Sequence, residues 1–191
     1  MAPPRPRDAS LYARLLGSSW PQLADPVRII HGTNATVRAR GRLRVTHGRS
    51  HLARVVARVL RLPCASDAAD TRLTITPGAD GETWLRSFGD RQLDTRQYEA
   101  GAGELAERIG VLEFRFRLEA LEGSLLFRQL EAAVLLRSMR LPLPASCVPR
   151  VEAREDAAGA DRVCVHVSVT LPALGPILTY DGTIAIEDVR A

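Results

Sequence analysis

The stretch GETWLRSFGDRQLDTRQY, residues 81–98, decides how the rest of the chain is read. Gly89-Asp90 is a Gly-X pair suited to a two-residue hairpin turn. Folding there sets Phe88 against Arg91, Arg86 against Leu93, Trp84 against Thr95 and Glu82 against Gln97. Side chains alternate along a strand, so Glu82, Trp84, Arg86 and Phe88 project together. A solvated face does not need two large aromatics, and a plain core does not want the charges. One reading is that this face encloses a ligand, with an apolar wall and with Arg86 as a fork of donors for a carboxylate, enolate or carbonyl oxygen. The other is a structural clamp in which Arg86 stacks on Trp84 and pairs with an acid. Leu73, Ile75 and Leu85 are assigned to the opposite face, so the sheet is expected to be covered on both sides.

Upstream, TVRARGRLRV alternates strictly, with Arg38, Arg40, Arg42 and Arg44 on the outer face. Helices are predicted at 10–17, 25–32 and 50–62. Ser10 would cap the first, Asp25, Pro26 and Gly32 would bound the second, and Pro63 would stop the third. The third would bury a stripe of Leu52, Val55, Val56, Val59 and Leu60. GELAERIG reads as a further short helix. VLEFRFRLEAL turns at Glu122-Gly123 into SLLFRQLEAAVLLRSMRL, which pairs Leu118 with Phe127. VPRVEARE, RVCVHVSVTL and ILTYDGTIAIE add three strands. The expected fold is α+β and mostly antiparallel, a strongly curved sheet or open β-barrel of about nine strands with three to four helices in the first half. Residues 1–9 read as a disordered leader and 10–191 as a single domain.

Composition removes several classes. With 46% hydrophobic and 25% charged residues, the chain resembles a globular protein, and no apolar run is long enough for a membrane span. All 26 basic residues are arginine, which excludes a lysine Schiff base and a Walker-type phosphate loop. Cys64, Cys147 and Cys164 are widely spaced, as in a reducing cytoplasm. No spacing suggests a metal, and Gly101-Ala102-Gly103 lacks the third glycine of a dinucleotide loop, so no cofactor is expected. The arginine stripe, with Arg54, Arg58 and Arg61, lacks interleaved aromatics and reads as a solvated face instead of a nucleic-acid or membrane site.

Taken in order, LYARLLG, VRIIHG, HLARVVARVLRLP, residues 82–98, RLPLPASCVPRVEARE and LPALGPILTYDGTI resemble a bacterial family catalogued as domain of unknown function 4166. The resemblance spans about Leu11 to Ile186. It implies a single cytoplasmic domain and, because some members are fused to reductase-like domains, a reductase-like partner. It implies no catalytic residue.

The candidate ligand-binding residues are Glu82, Trp84, Arg86, Phe88, Gln97, Arg150 and Tyr180. Arg150, Glu152 and Arg154 share one strand face; if it looks inward, Glu152 is a candidate general base, and otherwise the face is a solvated edge. His31 is a candidate base or a helix cap. His166, among Cys164, Ser168 and Thr170, lies opposite a face of valines, and either face could line a cavity. Tyr180 sits on an apolar face with Leu178, Ile184 and Ile186, and its hydroxyl needs a partner. Three functions fit: a module binding an apolar or amphipathic small molecule, a cofactor-free cyclase, isomerase or lyase of secondary metabolism in the same cavity, or an interaction domain for a reductase-like partner.

Overall fold

The computed structural model describes residues 9–190 apart from 60, 61, 102, 138 and 173, and only the backbone of 56 and 59. The expected leader, save residue 9, lies outside the described residues, as do Leu60 and the side chains of Val56 and Val59.

Eleven strands form one antiparallel sheet: β1 (Thr36–His47), β2 (Ser66–Gly78), β3 (Gly81–Phe88), β4 (Arg91–Glu99), β5 (Leu105–Ile109), β6 (Leu112–Leu121), β7 (Ser124–Leu136), β8 (Met139–Pro142), β9 (Arg150–Ala157), β10 (Arg162–Leu171) and β11 (Gly175–Arg190). Strands β1 to β7 follow one another around a ring that continues through β9, β10 and β11 back to β1. The β6–β7 pairing makes it a closed barrel of ten strands, so the expected curved sheet goes the whole way round. Closure removes the unpaired edges that an open sheet would expose. The remaining strand, β8, pairs with β7 beyond the point where β9 leaves it.

The hairpin register at 82–97 is the expected one, residue for residue, and Gly89 adopts φ 56° at its turn. Leu118 faces Phe127 as anticipated. Two expectations about the strands fail. GELAERIG is not a helix: Leu105–Ile109 is strand β5, because hydrogen bonding to both β4 and β6 outweighs the local helix preference of Glu, Leu and Ala. Leu73 and Ile75 pair with Arg86 and Trp84 and lie buried on the same inner face, while Leu85 is exposed. The meander is therefore covered on one side only.

The inner face is mostly apolar, and the outer face carries Arg38, Arg40, Arg42 and Arg44, all exposed. This inverts the pattern of a membrane-spanning barrel. No helix among the described residues is long and apolar enough to cross a membrane.

In an up-and-down barrel the connections alternate between two ends. Helices α1 (Leu11–Leu16) and α2 (Asp25–His31), joined by a 3-10 turn at Gly17–Gln22, plug one end. They bury Leu11, Tyr12, Leu16, Val27, Ile30 and His31. Ser10 caps α1 by accepting from Ala13 N–H at 3.2 Å. The plug is fastened to the β6–β7 turn where Ala24 N–H donates to Gly123 O at 2.9 Å. Helix α3 (His51–Val59) lies at the other end, between β1 and β2. It buries Ala53 and Ala57, whereas Leu52 and Val55, expected inside, are exposed. Close approach accounts for the small residue at 53: a Cβ on Gly48 would come 3.2 Å from that of Ala53, which leaves no space there for a larger side chain.

Strands β1 and β11 also approach closely. A Cβ on Gly41 would sit 2.0 Å from Thr183 O, and one on Gly182 2.5 Å from Arg42 O. These glycines let the sheet curl shut. Gly41→Ala should therefore lower unfolding free energy by about 1–3 kcal/mol, measured by urea denaturation; an unchanged midpoint would show that the closure does not depend on this contact.

Candidate functional site

Eight strands leave an interior that side chains just fill, so ten leave room. The barrel holds a cavity of about 540 Å³. Aliphatic and aromatic groups make most of its wall, including Leu73, Phe114, Phe127, Val165, Val167 and Val169. Trp84, Arg86, Phe88, Gln97 and Tyr180, all expected at a site, line it.

Arg86 is the cationic side chain in this wall. Its guanidinium lies 4.5 Å above the Trp84 ring, and Nη1 donates to Glu107 Oε1 and Thr95 Oγ1, each at 3.0 Å. The two readings of the opening stretch thus coexist: Arg86 is clamped by Trp84 and an acid, yet it faces the cavity. The acid is Glu107, not Glu82. Burial opposes the charge of Arg86, but Glu107, Tyr180 and Tyr12 together offset it and hold the guanidinium above its ordinary pKa.

Glu82 is buried but lies outside the cavity lining, where it accepts from Trp84 Nε1 at 3.1 Å. Burial pushes its carboxyl up. Gln97 lines the plugged end and accepts a hydrogen bond from Tyr12 Oη at 2.6 Å. His31 also belongs to the plug. Its ring stacks on Tyr12 with centroids 4.0 Å apart and lies 5.5 Å from Trp84, continuing the pile begun by Arg86. Its Nε2 is 2.7 Å from Glu155 Oε2, and its Nδ1 is buried with no hydrogen-bond partner among the described residues. His31 is thus neither exposed nor a simple cap. It reaches the cavity only through Glu155, which lines it.

Tyr180 packs on Phe88 with centroids 5.2 Å apart, and its hydroxyl makes no hydrogen bond among the described residues. Burial pushes its pKa up to about 12, although Arg86 nearby works in the other direction.

Arg150 and Glu152 do not line the cavity. Both are exposed, because alternation along β9 turns Val151, Ala153 and Glu155 inward instead. In β10 the valines face the cavity and His166 is exposed. Glu107, Glu155, Thr95 and Tyr12 escaped the sequence reading. The signal for Glu155 was present, as one acid in line with Val151 and Ala153. That for Glu107 was hidden by the helical reading of its segment. Among the described residues no group of three or more His, Cys, Asp or Glu side chains is placed to hold a metal ion.

Residues 23–184 match the model of the family described as domain of unknown function (DUF4166). The chain belongs to that family. Comparison with curated proteins and with solved structures gives no match. The matched segment runs from just before α2 to within β11 and so contains every residue of the cavity wall.

Two outcomes follow from the buried charges. Glu107→Leu alone strands the Arg86 guanidinium in an apolar barrel and should cost about 3–5 kcal/mol, whereas Arg86→Met with Glu107→Leu should recover most of it. Chemical denaturation of the three proteins decides this, and equal losses in single and double variants would refute the coupling. Tyr180 is neutral in the fold beyond its ordinary 10.0, so its contribution to stability is complete below pH 10 and is lost as pH rises towards about 12. Tyrosinate absorbance of the native protein should lag that of the unfolded chain over this interval.

Proposed function

We propose that the barrel binds an apolar or amphipathic small molecule with an anionic or carbonyl-bearing end. The observation that carries this reading is a guanidinium held inside a mostly apolar cavity of about 540 Å³, a size typical of small-molecule sites. Arg86 is fixed from one side by Glu107, Thr95 and Trp84. Its position is set before a ligand arrives, so little ordering cost falls on binding. The Tyr180 hydroxyl is a second donor on the same wall, and the valines of β10 offer only apolar contact.

A second reading, cofactor-free catalysis of the cyclase, isomerase or lyase type, rests on one further feature. Glu155 lines the cavity and is hydrogen-bonded to His31, so a proton acceptor with an orienting partner stands where a bound molecule could reach it. Glu152 and His166 face solvent and drop out of this role. A reductase-like partner domain is a third reading, supported by the family resemblance alone.

Titration with dansylaminoundecanoic acid, read by fluorescence, tests the first reading. The wild-type protein should bind the probe, Arg86→Gln should weaken binding about tenfold to a hundredfold, and Tyr180→Phe should weaken it less. Arg42→Ala, on the outer wall, should leave binding unchanged. Equal losses for Arg86→Gln and Arg42→Ala, or no binding by the wild type, would overturn the proposal.

A further inference from the structure

The α3 end of the barrel gathers the most exposed large apolar side chains together with a set of exposed arginines. The four most exposed large apolar side chains of the described residues are Leu52 (61%), Met139 (59%), Val55 (57%) and Val111 (55%). Chain topology puts all four at this end: Leu52 and Val55 on α3 after β1, Val111 in the β5–β6 turn, Met139 just past the β7–β8 turn. They lie on opposite sides of the mouth, since β1 and β6–β7 stand across the ring from one another. The same end carries Arg49, Arg54, Arg58, Arg91, Arg137 and Arg150, all exposed. None of the six forms an ion pair among the described residues, whereas Arg40 and Arg42 on the wall pair with Glu187 and Asp70. Asp67 and Asp90 stand in the same turns and strand ends, with Asp70 and Asp94 a few residues farther along β2 and β4, where Asp70 pairs with Arg42 and Asp94 accepts from Gln92. Val111, Leu62 and Pro149 continue this rim directly into the cavity wall.

We infer that this end of the barrel docks on an anionic phospholipid bilayer. Exposed apolar groups on opposite sides of the mouth suit a flat partner better than a peptide seated in a single groove. Aliphatic side chains enter the headgroup boundary while the surrounding guanidiniums meet lipid phosphates, as on an interfacial helix. The exposed apolar groups are Leu, Val and Met with no aromatic among them, so the surface lacks the stacking platform of a nucleic-acid site. Docked in this way, the mouth would open onto the acyl region, and an apolar ligand could pass between bilayer and cavity without crossing water. That passage rests on the ligand-binding reading above; the docking itself does not.

Co-sedimentation of the full chain with vesicles tests it, using phosphatidylcholine alone and phosphatidylcholine mixed with phosphatidylglycerol. The protein should pellet only with the mixed vesicles and should be released by salt. Each arginine removed should lower the partition coefficient about fivefold, so Arg54→Gln with Arg58→Gln should lower it roughly twenty-five-fold. Leu52→Ser with Val55→Ser should abolish pelleting. Should either α3 variant fail to fold, judged by circular dichroism, Val111→Ser with Met139→Ser tests the same surface on other elements. No pelleting of the wild type, or pelleting indifferent to these substitutions, would overturn the inference. So would equally tight binding to inorganic polyphosphate or RNA that survives loss of Leu52 and Val55. The dansyl titration separates the two proposals, because vesicle binding without probe binding refutes the ligand reading alone, and the reverse refutes the docking alone.

Discussion

A cation inside an apolar barrel must bring its counter-charge with it, and the arrangement around Arg86 follows from that requirement. Leaving such a charge unpaired would cost several kcal/mol. Glu107 reaches it from β5, two strands away, and Thr95 from the strand between, so three strands are held in one register by a single guanidinium. Trp84 supplies the flat surface beneath it. A structural ion pair of this kind is rarely the most stable filling for a core, since leucine-sized groups would do as well. Its retention on a cavity wall is the physical reason to look for a ligand there.

The plugged end extends the same logic. Tyr12 and His31 arrive from helices outside the sheet and bring polar atoms into contact with Gln97 and Glu155 on the barrel wall. Gln97 and Glu155 are each answered by a polar group from the plug, and the aromatic pile from Arg86 to Tyr12 joins the two parts. The outer wall has its own network, in which Arg140 on β8 donates at 2.6 Å both to Glu113 and to Glu131 while Tyr98 donates to Glu113. Strand β8 is thereby tied across the β6–β7 hairpin.

Much of the barrel was legible in the alternation of its strands. The 82–97 register could be read from one Gly-X turn and the period of two, and the inward direction of Trp84, Arg86 and Phe88 followed. Three things were not legible, each for a physical reason. ELAER favours a helix locally, and only pairing on both sides makes it a strand; missing that hid Glu107 and so the partner of Arg86. On β9 the charge-rich face of Arg150 and Glu152 drew attention from the quieter face that holds Glu155. On α3 the count of large aliphatics pointed to one face, but Ala53 is the residue packed beside Gly48, and Leu52 and Val55 turn outward.

The pairing of β1 with β11 has a temporal side. As the chain leaves the ribosome, β1 appears early with one long flank unpaired, and its partner is made only after β2 through β10. Loop-closure entropy has to be met across nearly the whole polypeptide before that seam can zip, which places this fold among slow, non-local ones. Until then two sticky borders, one on β1 and one on β10, are available to any neighbouring nascent chain. The row of guanidiniums along the exterior of β1 helps here too, since like charges on two such half-built sheets repel one another before their edges can join.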